Sequence, residues 1–365
     1  MPTTPPPLIN LHAFEAAAAE RLPRMVYDYY AGGANDEVSL RGTRQAWDNL
    51  AIRYRVLQDV ADRSLRTTVL GHKLEWPVFV APMAFQRLAT PEGEVATARA
   101  AAQSGAGMIL STLSTCTIEA VRAATDGPLW FQLYIYRDRG VTADLVRRAE
   151  QAGCSALVLT VDTPLLGRRE RDLLNGFHVP SDIPVPNLGV DIRDTLASQQ
   201  STASALGTFI ERYWDASIAW RDLAWLQSIT SLPILVKGVV RGDDARRALD
   251  HGAAGVIVSN HGARQLDTAL ATARALPECA DAMAGEGVLM VDGGIRRGTD
   301  VLKALALGAQ AVLLGRPVLW GLAVNGREGA FDVMALLKAE CDLAFALAGC
   351  RTTADVTRDL IAQPA

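Results

Sequence analysis

The chain has 365 residues, 49% hydrophobic and 21% charged, a globular balance with ample material for a large core. With 36 basic and 40 acidic residues its net charge is −4, so no basic excess is available to track nucleic acid or an anionic membrane. No apolar run nears the roughly 20 residues that span a bilayer, and residues 1–10, rich in proline, lack the pattern of a signal peptide. The five cysteines (Cys116, Cys154, Cys279, Cys341 and Cys350) have no zinc or redox spacing. They are expected as reduced thiols of a cytosolic protein without a metal site.

In chain order, Ala13–Leu22 reads as a helix, Pro23 opens a second, and Gly32 with Gly33 ends it. Residues 1–75 are therefore expected to form an N-terminal helical cap. Eight short apolar runs follow: Pro77–Pro82, Gly107–Ser111, Leu129–Tyr134, Ala156–Asp162, Ile234–Gly238, Gly255–Asn260, Val288–Gly293 and Ala311–Gly315. Most are continuously apolar, as strands buried on both faces are. Helical segments lie between them, such as Gly93–Ser104, Thr142–Gly153, Asp243–Gly252 and Gly298–Gly308, each with a glycine at or just past its end. Alternation of this kind implies a parallel sheet, and eight units imply a closed (β/α)8 TIM barrel over residues 76–320, an α/β fold. An open doubly wound sheet is the rival, weakened because no G-x-G-x-x-G follows the first strand. The fourth gap is too long for one crossover, and 180–213 is expected to be a lid-like inserted loop after the fourth strand. Residues 321–365 should be C-terminal helices, with Phe331–Leu347 packed outside the barrel.

The strands finish on polar residues: Gln132 and Tyr134 on the third, Thr160 and Asp162 on the fourth, Lys237 on the fifth. Ser259, Asn260 and His261 end the sixth, Asp292 the seventh, and Arg316 follows the eighth. Barrel active sites form at these C-terminal ends from several strands at once, so the residues are expected to converge. Val291–Arg296 and Leu314–Arg316 bring glycines, backbone amides and guanidinium groups after the last two strands, where barrels commonly bind a phosphate. In Ser259–Asp267, His261 and Arg264 stand three apart just beyond a strand. A guanidinium pairs with a carboxylate, and an imidazole is the usual base near neutral pH. Together they suggest proton removal next to a bound carboxylate.

At this point the chain resembles the FMN-dependent 2-hydroxy acid oxidases and dehydrogenases, the family that includes glycolate oxidase, lactate oxidase, flavocytochrome b2 and mandelate dehydrogenase. The resemblance runs from about Phe14 to Thr352. It is carried by Leu22–Tyr30, Thr90–Glu94, Phe131–Tyr134, Leu159–Pro164, Gly167–Glu170, Leu235–Gly238, the His261 cluster and Val291–Arg297. It implies FMN as cofactor, His261 as the base and Asp162 as the carboxylate that orients it. Arg169 and Arg264 would grip the substrate carboxylate with Tyr29 as a further donor, and Tyr134 would bind the hydroxyl. Lys237 would sit at the pyrimidine end of the flavin. Pro82, Met83, Ala84, Ser111, Gln132, Thr160 and Ser259 would line the isoalloxazine. Asp292, Gly293, Gly294, Ile295, Arg296, Gly315 and Arg316 would hold the ribityl chain and phosphate. A homo-oligomer, tetramer or octamer, is the expected assembly.

Glycolate oxidase typically carries threonine and tryptophan where this chain has Met83 and Leu113. The smaller, apolar Leu113 should enlarge the substrate pocket, which favours L-lactate over glycolate and leaves longer or aromatic 2-hydroxy acids open. No haem-binding extension is evident, so oxygen is the expected acceptor; a dehydrogenase with another acceptor is the alternative. Outside this class, an isomerase or lyase of a phosphorylated substrate could use the same phosphate loops, but it leaves Lys237, Gln132 and Tyr134 without a role. A catalytically silent scaffold is the other alternative, though one would expect such a protein to have lost part of His261, Arg264 and Asp162.

Overall fold

The computed structural model describes residues 7–188 and 205–362. Three helices open the chain: α1 (Leu11–Arg21), α2 (Arg24–Ala31) and α3 (Val38–Asp48). Asn10 caps α1 by accepting from the Ala13 N–H at 2.9 Å, and Pro23 precedes α2 as its sequence position requires. The cap is not purely helical. An antiparallel hairpin, β1 (Thr67–Val69) and β2 (His72–Leu74), follows α3. Its Val69 and Leu74 pack into the same cluster as the barrel interior and cover the end opposite the site.

The barrel consists of β3 (Val78–Val80), β4 (Gly107–Leu110), β5 (Leu129–Leu133), β6 (Leu157–Thr160), β7 (Ile234–Val239), β8 (Gly255–Val258), β9 (Val288–Val291) and β10 (Ala311–Leu314). All eight pair in parallel with their neighbours, and β10 pairs with β3 to close the ring. Seven of the eight expected runs contain their strand and the fifth falls one residue short, ending at Gly238 where β7 runs on to Val239; the (β/α)8 barrel stands and the open sheet does not. Around it lie α4 (Glu94–Ser104), α5 (Ile118–Ala123), α6 (Arg139–Ala152), α7 (Glu170–Leu174), α8 (Ala205–Tyr213), α9 (Arg221–Gln227), α10 (Gly242–Asp250), α11 (Thr272–Met283), α12 (Gly298–Ala306) and α13 (Arg316–Ala348). Helices α4 and α6 end on left-handed Gly105 and Gly153. The α13 segment is two helices meeting at a sharp kink, where Asn325 and Gly326 leave helical φ/ψ; it begins inside the segment expected to belong to the barrel.

Much of the expected lid, residues 189–204, lies outside the described residues. Its end is α8, a helix rather than a loop, and it is joined to the barrel by antiparallel pairing of Tyr136 with Trp214. All five cysteines are buried and unpaired by disulfides. Among the described residues no helix is long and apolar enough to cross a membrane.

The period-2 alternation of a strand decides what the barrel mouth presents. Inward-facing residues at the strand bodies are apolar: Phe79, Ile109, Trp130, Val158, Leu235, Ile257, Met290 and Leu313. Continuing each series by twos toward the C-terminal end gives Ala81 and Met83, Ser111 and Leu113, Gln132 and Tyr134, Thr160 and Asp162. It continues with Lys237, then Ser259 and His261, Asp292 and Gly294, and Gly315. One face of every strand therefore serves as core below and as site above.

Candidate active site

A cavity of about 1100 Å³, its open mouth included, lies at that end. Tyr29, Pro82, Met83, Ala84, Ser111, Leu113, Gln132, Tyr134 and Thr160 line it. So do Arg169, Lys237, His261, Arg264, Asp292–Arg296, Gly315 and Arg316. Two expected residues do not reach its wall. Asp162 stands behind His261. Ser259, expected beside the flavin, is wholly buried, and its hydroxyl oxygen accepts from Lys237 Nζ at 2.9 Å and from the His261 N–H at 3.0 Å. It supports the site from below.

The loop after β8 sets the base. His261, Gly262 and Ala263 have φ of 58°, 64° and 63°, three successive left-handed residues that turn the imidazole back over the barrel. Its Nδ1 lies 2.8 Å from Asp162 Oδ1, which fixes the neutral tautomer with its proton on Nδ1 and Nε2 unprotonated. Thr163 Oγ1 donates to the same carboxylate oxygen at 3.0 Å. Asp162 can stand here because Gly238 interrupts β7 with φ 110°; a Cβ there would lie 2.6 Å from Asp162 Cβ. Burial lowers the His261 pKa below its ordinary 6.5, and the Lys237 and Arg169 charges add to this against the pull of Asp162. Burial opposes ionisation of Asp162, but the neighbouring His261, Lys237 and Thr163 outweigh it and hold the carboxyl low. The pair is a neutral imidazole on a fixed carboxylate, ready to take a proton.

Four arginines face the cavity, and among the described residues Arg169, Arg264, Arg296 and Arg316 have no carboxylate within ion-pair distance. Buried charges are normally paired, so the site is built for anions it does not itself contain. Burial, then Arg264, pushes Arg169 down to about 10. Burial, then Arg264 and Arg296, pushes Arg316 down to about 9. What keeps the cluster together is the C-terminal end of α2. Arg264 Nη1 donates to the carbonyls of Tyr29, Tyr30 and Gly32, and Arg316 donates to those of Tyr30 (2.8 Å) and Gly32 (3.0 Å). Helix ends leave such carbonyls unpartnered and carry partial negative charge, so α2 compensates the cations without neutralising them.

Tyr29 stacks on Phe177 at 3.9 Å and lies under Arg264 at 4.9 Å; Tyr134 stacks on Trp214 at 3.7 Å. Burial raises the pKa of both phenols, with Arg264 opposing at Tyr29 and Asp162 reinforcing at Tyr134. Both remain hydroxyl donors. At the floor, Lys237 Nζ pairs with Asp292 Oδ2 at 2.9 Å. Burial disfavours its charge, but Asp292 and Asp162 raise its pKa and keep it an ammonium.

Gln132 Nε2, Thr160 Oγ1 and Asp292 Oδ1 are buried without a hydrogen-bond partner among the described residues. An amide donor, a hydroxyl and an ammonium converging on one buried level suit a flat ring edged with carbonyls and N–H groups, as the pyrimidine end of a flavin is. Beyond them the loop after β9 is drawn tight by Asp300, whose Oδ2 accepts from the Arg296 and Arg297 N–H groups at 2.8 and 2.9 Å and which pairs with Arg44 of α3. Trp47 of α3 donates to the Gly293 carbonyl at 2.8 Å. This loop and the N-terminus of α13 bring backbone N–H groups, Arg296 and Arg316 to one end of the cavity, chemistry that would suit a phosphate.

The sequence reading missed the wall opposite the base. Leu206 and Ile210 of α8 and Trp214, just past its end, line the cavity, as does Leu166 after β6. A signal existed, since Leu206 and Ile210 stand at the four-residue step of one helix face and Trp214 continues it just past the helix end.

Unpaired cations above a polar floor at the mouth of a parallel barrel are what a flavoprotein would need there. Residues 18–363 match the family model for FMN-dependent dehydrogenase. The glycolate oxidase of Spinacia oleracea is 49% identical over 356 residues, 97% of this chain and 96% of that protein. The L-lactate oxidase of Nostoc sp. (strain PCC 7120) is likewise 49% identical, over 352 residues, 95% of this chain and 96% of that one. The crystal structure of a mandelate oxidase with (S)-4-hydroxymandelic acid superposes with a TM-score of 0.93 at 42% identity, covering 97% of this chain and 98% of that chain. The chain belongs to the FMN-dependent dehydrogenase family, whose cofactor is FMN.

Proposed function

We propose that this protein oxidises a small L-2-hydroxy acid, L-lactate in the first instance, to the 2-keto acid, with oxygen as the acceptor. The observation that carries the reading is the His261–Asp162 pair facing Arg169 and Arg264, two cations without a carboxylate of their own. Arg169 and Arg264 hold the substrate carboxylate, Tyr134 and Tyr29 hydrogen-bond its polar groups, and His261 Nε2 takes the proton from the α-carbon or the hydroxyl. Asp162 stabilises the imidazolium so formed. Gln132, Thr160 and Lys237 would hold the ring of FMN, and Arg296, Arg316 and the Gly293–Ile295 and Gly315 backbone its phosphate end. FMN, when bound, would supply the two-electron acceptor that links the hydroxy acid to oxygen, with hydrogen peroxide as the second product.

Lactate is preferred to glycolate because Leu113, smaller than an indole, leaves room for a methyl group in an apolar setting. The apolar wall of Leu166, Leu206, Ile210 and Trp214 favours a second reading, a larger or aromatic 2-hydroxy acid. Peroxide release measured with glycolate, L-lactate, 2-hydroxyoctanoate and mandelate, both enantiomers of the chiral acids, decides among these. Absence of peroxide with all of them refutes the oxidase reading. Leu113→Trp should shift the kcat/KM ratio toward glycolate by roughly 10- to 100-fold, the ~1–3 kcal/mol range of a filled or emptied pocket. An unchanged ratio removes Leu113 as the size gate.

The pH profile follows from the lowered His261 pKa. Only the unprotonated ring accepts a proton, so kcat/KM falls as pH drops through that pKa and is level above it. The break lies below the ordinary 6.5. A break above 7 in kcat/KM contradicts a buried neutral imidazole.

A further inference from the structure

We propose that Gln265 is a positioning residue that fixes the spacing between the carboxylate anchor and the proton acceptor. The proposal rests on the reading of Arg169 and Arg264 as that anchor. Gln265 follows His261 on the loop after β8, and its amide clasps the loop after β6. Nε2 donates to the carbonyls of Asp162 (3.2 Å) and Leu165 (2.8 Å). Oε1 accepts from the Gly167 N–H (3.1 Å) and from Arg169 Nη2 (3.4 Å). Carbonyls lie on one side and N–H donors on the other, so the amide fits in one orientation only.

The two loops touch through their backbones. A Cβ on Gly167 would come within 2.5 Å of Gln265 Cα and of the Gln265 carbonyl oxygen, a contact only glycine allows. The segment held by this clasp begins at Asp162, the partner of His261, and ends at Arg169. Arg169 is buried at 6% exposure, and its other hydrogen bond goes to the Arg264 carbonyl at 3.2 Å. One side chain thus ties the carboxylate that orients the base to the cation that anchors the substrate. In a 2-hydroxy acid the reacting carbon is bonded directly to the carboxylate carbon, so the substrate has no slack to absorb an altered spacing. A misplacement of ~1 Å can cost on the order of 10²-fold in rate.

Two holoenzyme variants test the clasp. Gln265→Glu puts a carboxylate against Arg169, where it competes with the substrate; Gln265→Met keeps the bulk and removes all four hydrogen bonds. For each, kcat and KM for L-lactate, the affinity for oxalate by perturbation of the flavin spectrum, and FMN content are measured beside Arg169→Met. Gln265→Glu should raise KM and weaken oxalate binding about tenfold or more, and should lower kcat as well, because its carboxylate cannot donate to the Asp162 and Leu165 carbonyls. Gln265→Met should lower kcat/KM by roughly 10²-fold with full FMN content. Near-native KM and oxalate affinity in both variants, while Arg169→Met loses oxalate, overturns the proposal alone. Proportional loss of kcat, KM and FMN content assigns Gln265 a merely structural part and overturns it equally. Native oxalate affinity in Arg169→Met removes the anchor reading itself, and the proposal with it.

Discussion

Replacing His261 by glutamine is expected to leave FMN bound and to slow its reduction by L-lactate by about 10³- to 10⁴-fold, the upper range of what a positioned base contributes. The imidazole is the neutral acceptor in the cavity, and Asp162 cannot replace it, because it stands behind the ring and does not reach the cavity wall. An amide of similar length keeps a hydrogen bond to Asp162 but has no lone pair basic enough to take the proton. Cofactor retention follows because the groups proposed to face the flavin ring and phosphate, Gln132, Lys237, Arg296 and Arg316, are untouched. Anaerobic bleaching of the flavin, followed by stopped flow, measures the step directly. Reduction within tenfold of the native rate would exclude His261 as the base.

Arg169→Met should cost kcat/KM roughly 30- to 4,000-fold, corresponding to the ~2–5 kcal/mol lost when one partner of a desolvated charge pair is removed. The sign of the accompanying stability change separates function from folding. In the substrate-free protein Arg169 is a buried cation next to Arg264, and both burial and that neighbour depress its pKa to about 10. Removing it relieves repulsion, and so the methionine variant should melt no lower than the native protein while binding substrate far worse. A fall in Tm in step with the fall in kcat/KM would show that Arg169 holds the fold rather than the ligand.

How much of this was legible before the fold was known follows from the range of each signal. The barrel was readable because its strands are buried on both faces, so apolar runs such as Gly107–Leu110 and Gly255–Val258 stand out from the amphipathic helices between them. The residues of the mouth were readable because period-2 continuation from those runs is a local rule; it reaches Gln132, Lys237 and Asp292 without knowledge of the ring. Long-range contacts were not legible. Nothing near Ser259 indicates that its hydroxyl would be taken up by Lys237 and the His261 N–H, or that α3, from the other end of the chain, would brace the Gly293 loop through Trp47 and Arg44. Helix α8 was missed because the aperiodic stretch before it masked the 206–210–214 stripe. The hairpin β1–β2 was missed because three-residue strands fall below the length at which alternation can be recognised.

The pairing of β10 with β3 bears on how the enzyme is made. The first barrel strand to be synthesised finds its second neighbour only in the last one, Val78 opposite Val312. Helix α2, made earlier still, has its terminal carbonyls partnered by arginines that follow β8 and β10. A ribosome-bound chain can build the central strands in sequence, yet it can complete neither the ring nor the anion cluster until nearly all of it has emerged. The cofactor cradle, drawing on both ends of the polypeptide, is therefore among the last parts to form, and capture of FMN would act as a clasp on a finished barrel rather than as a nucleus for folding.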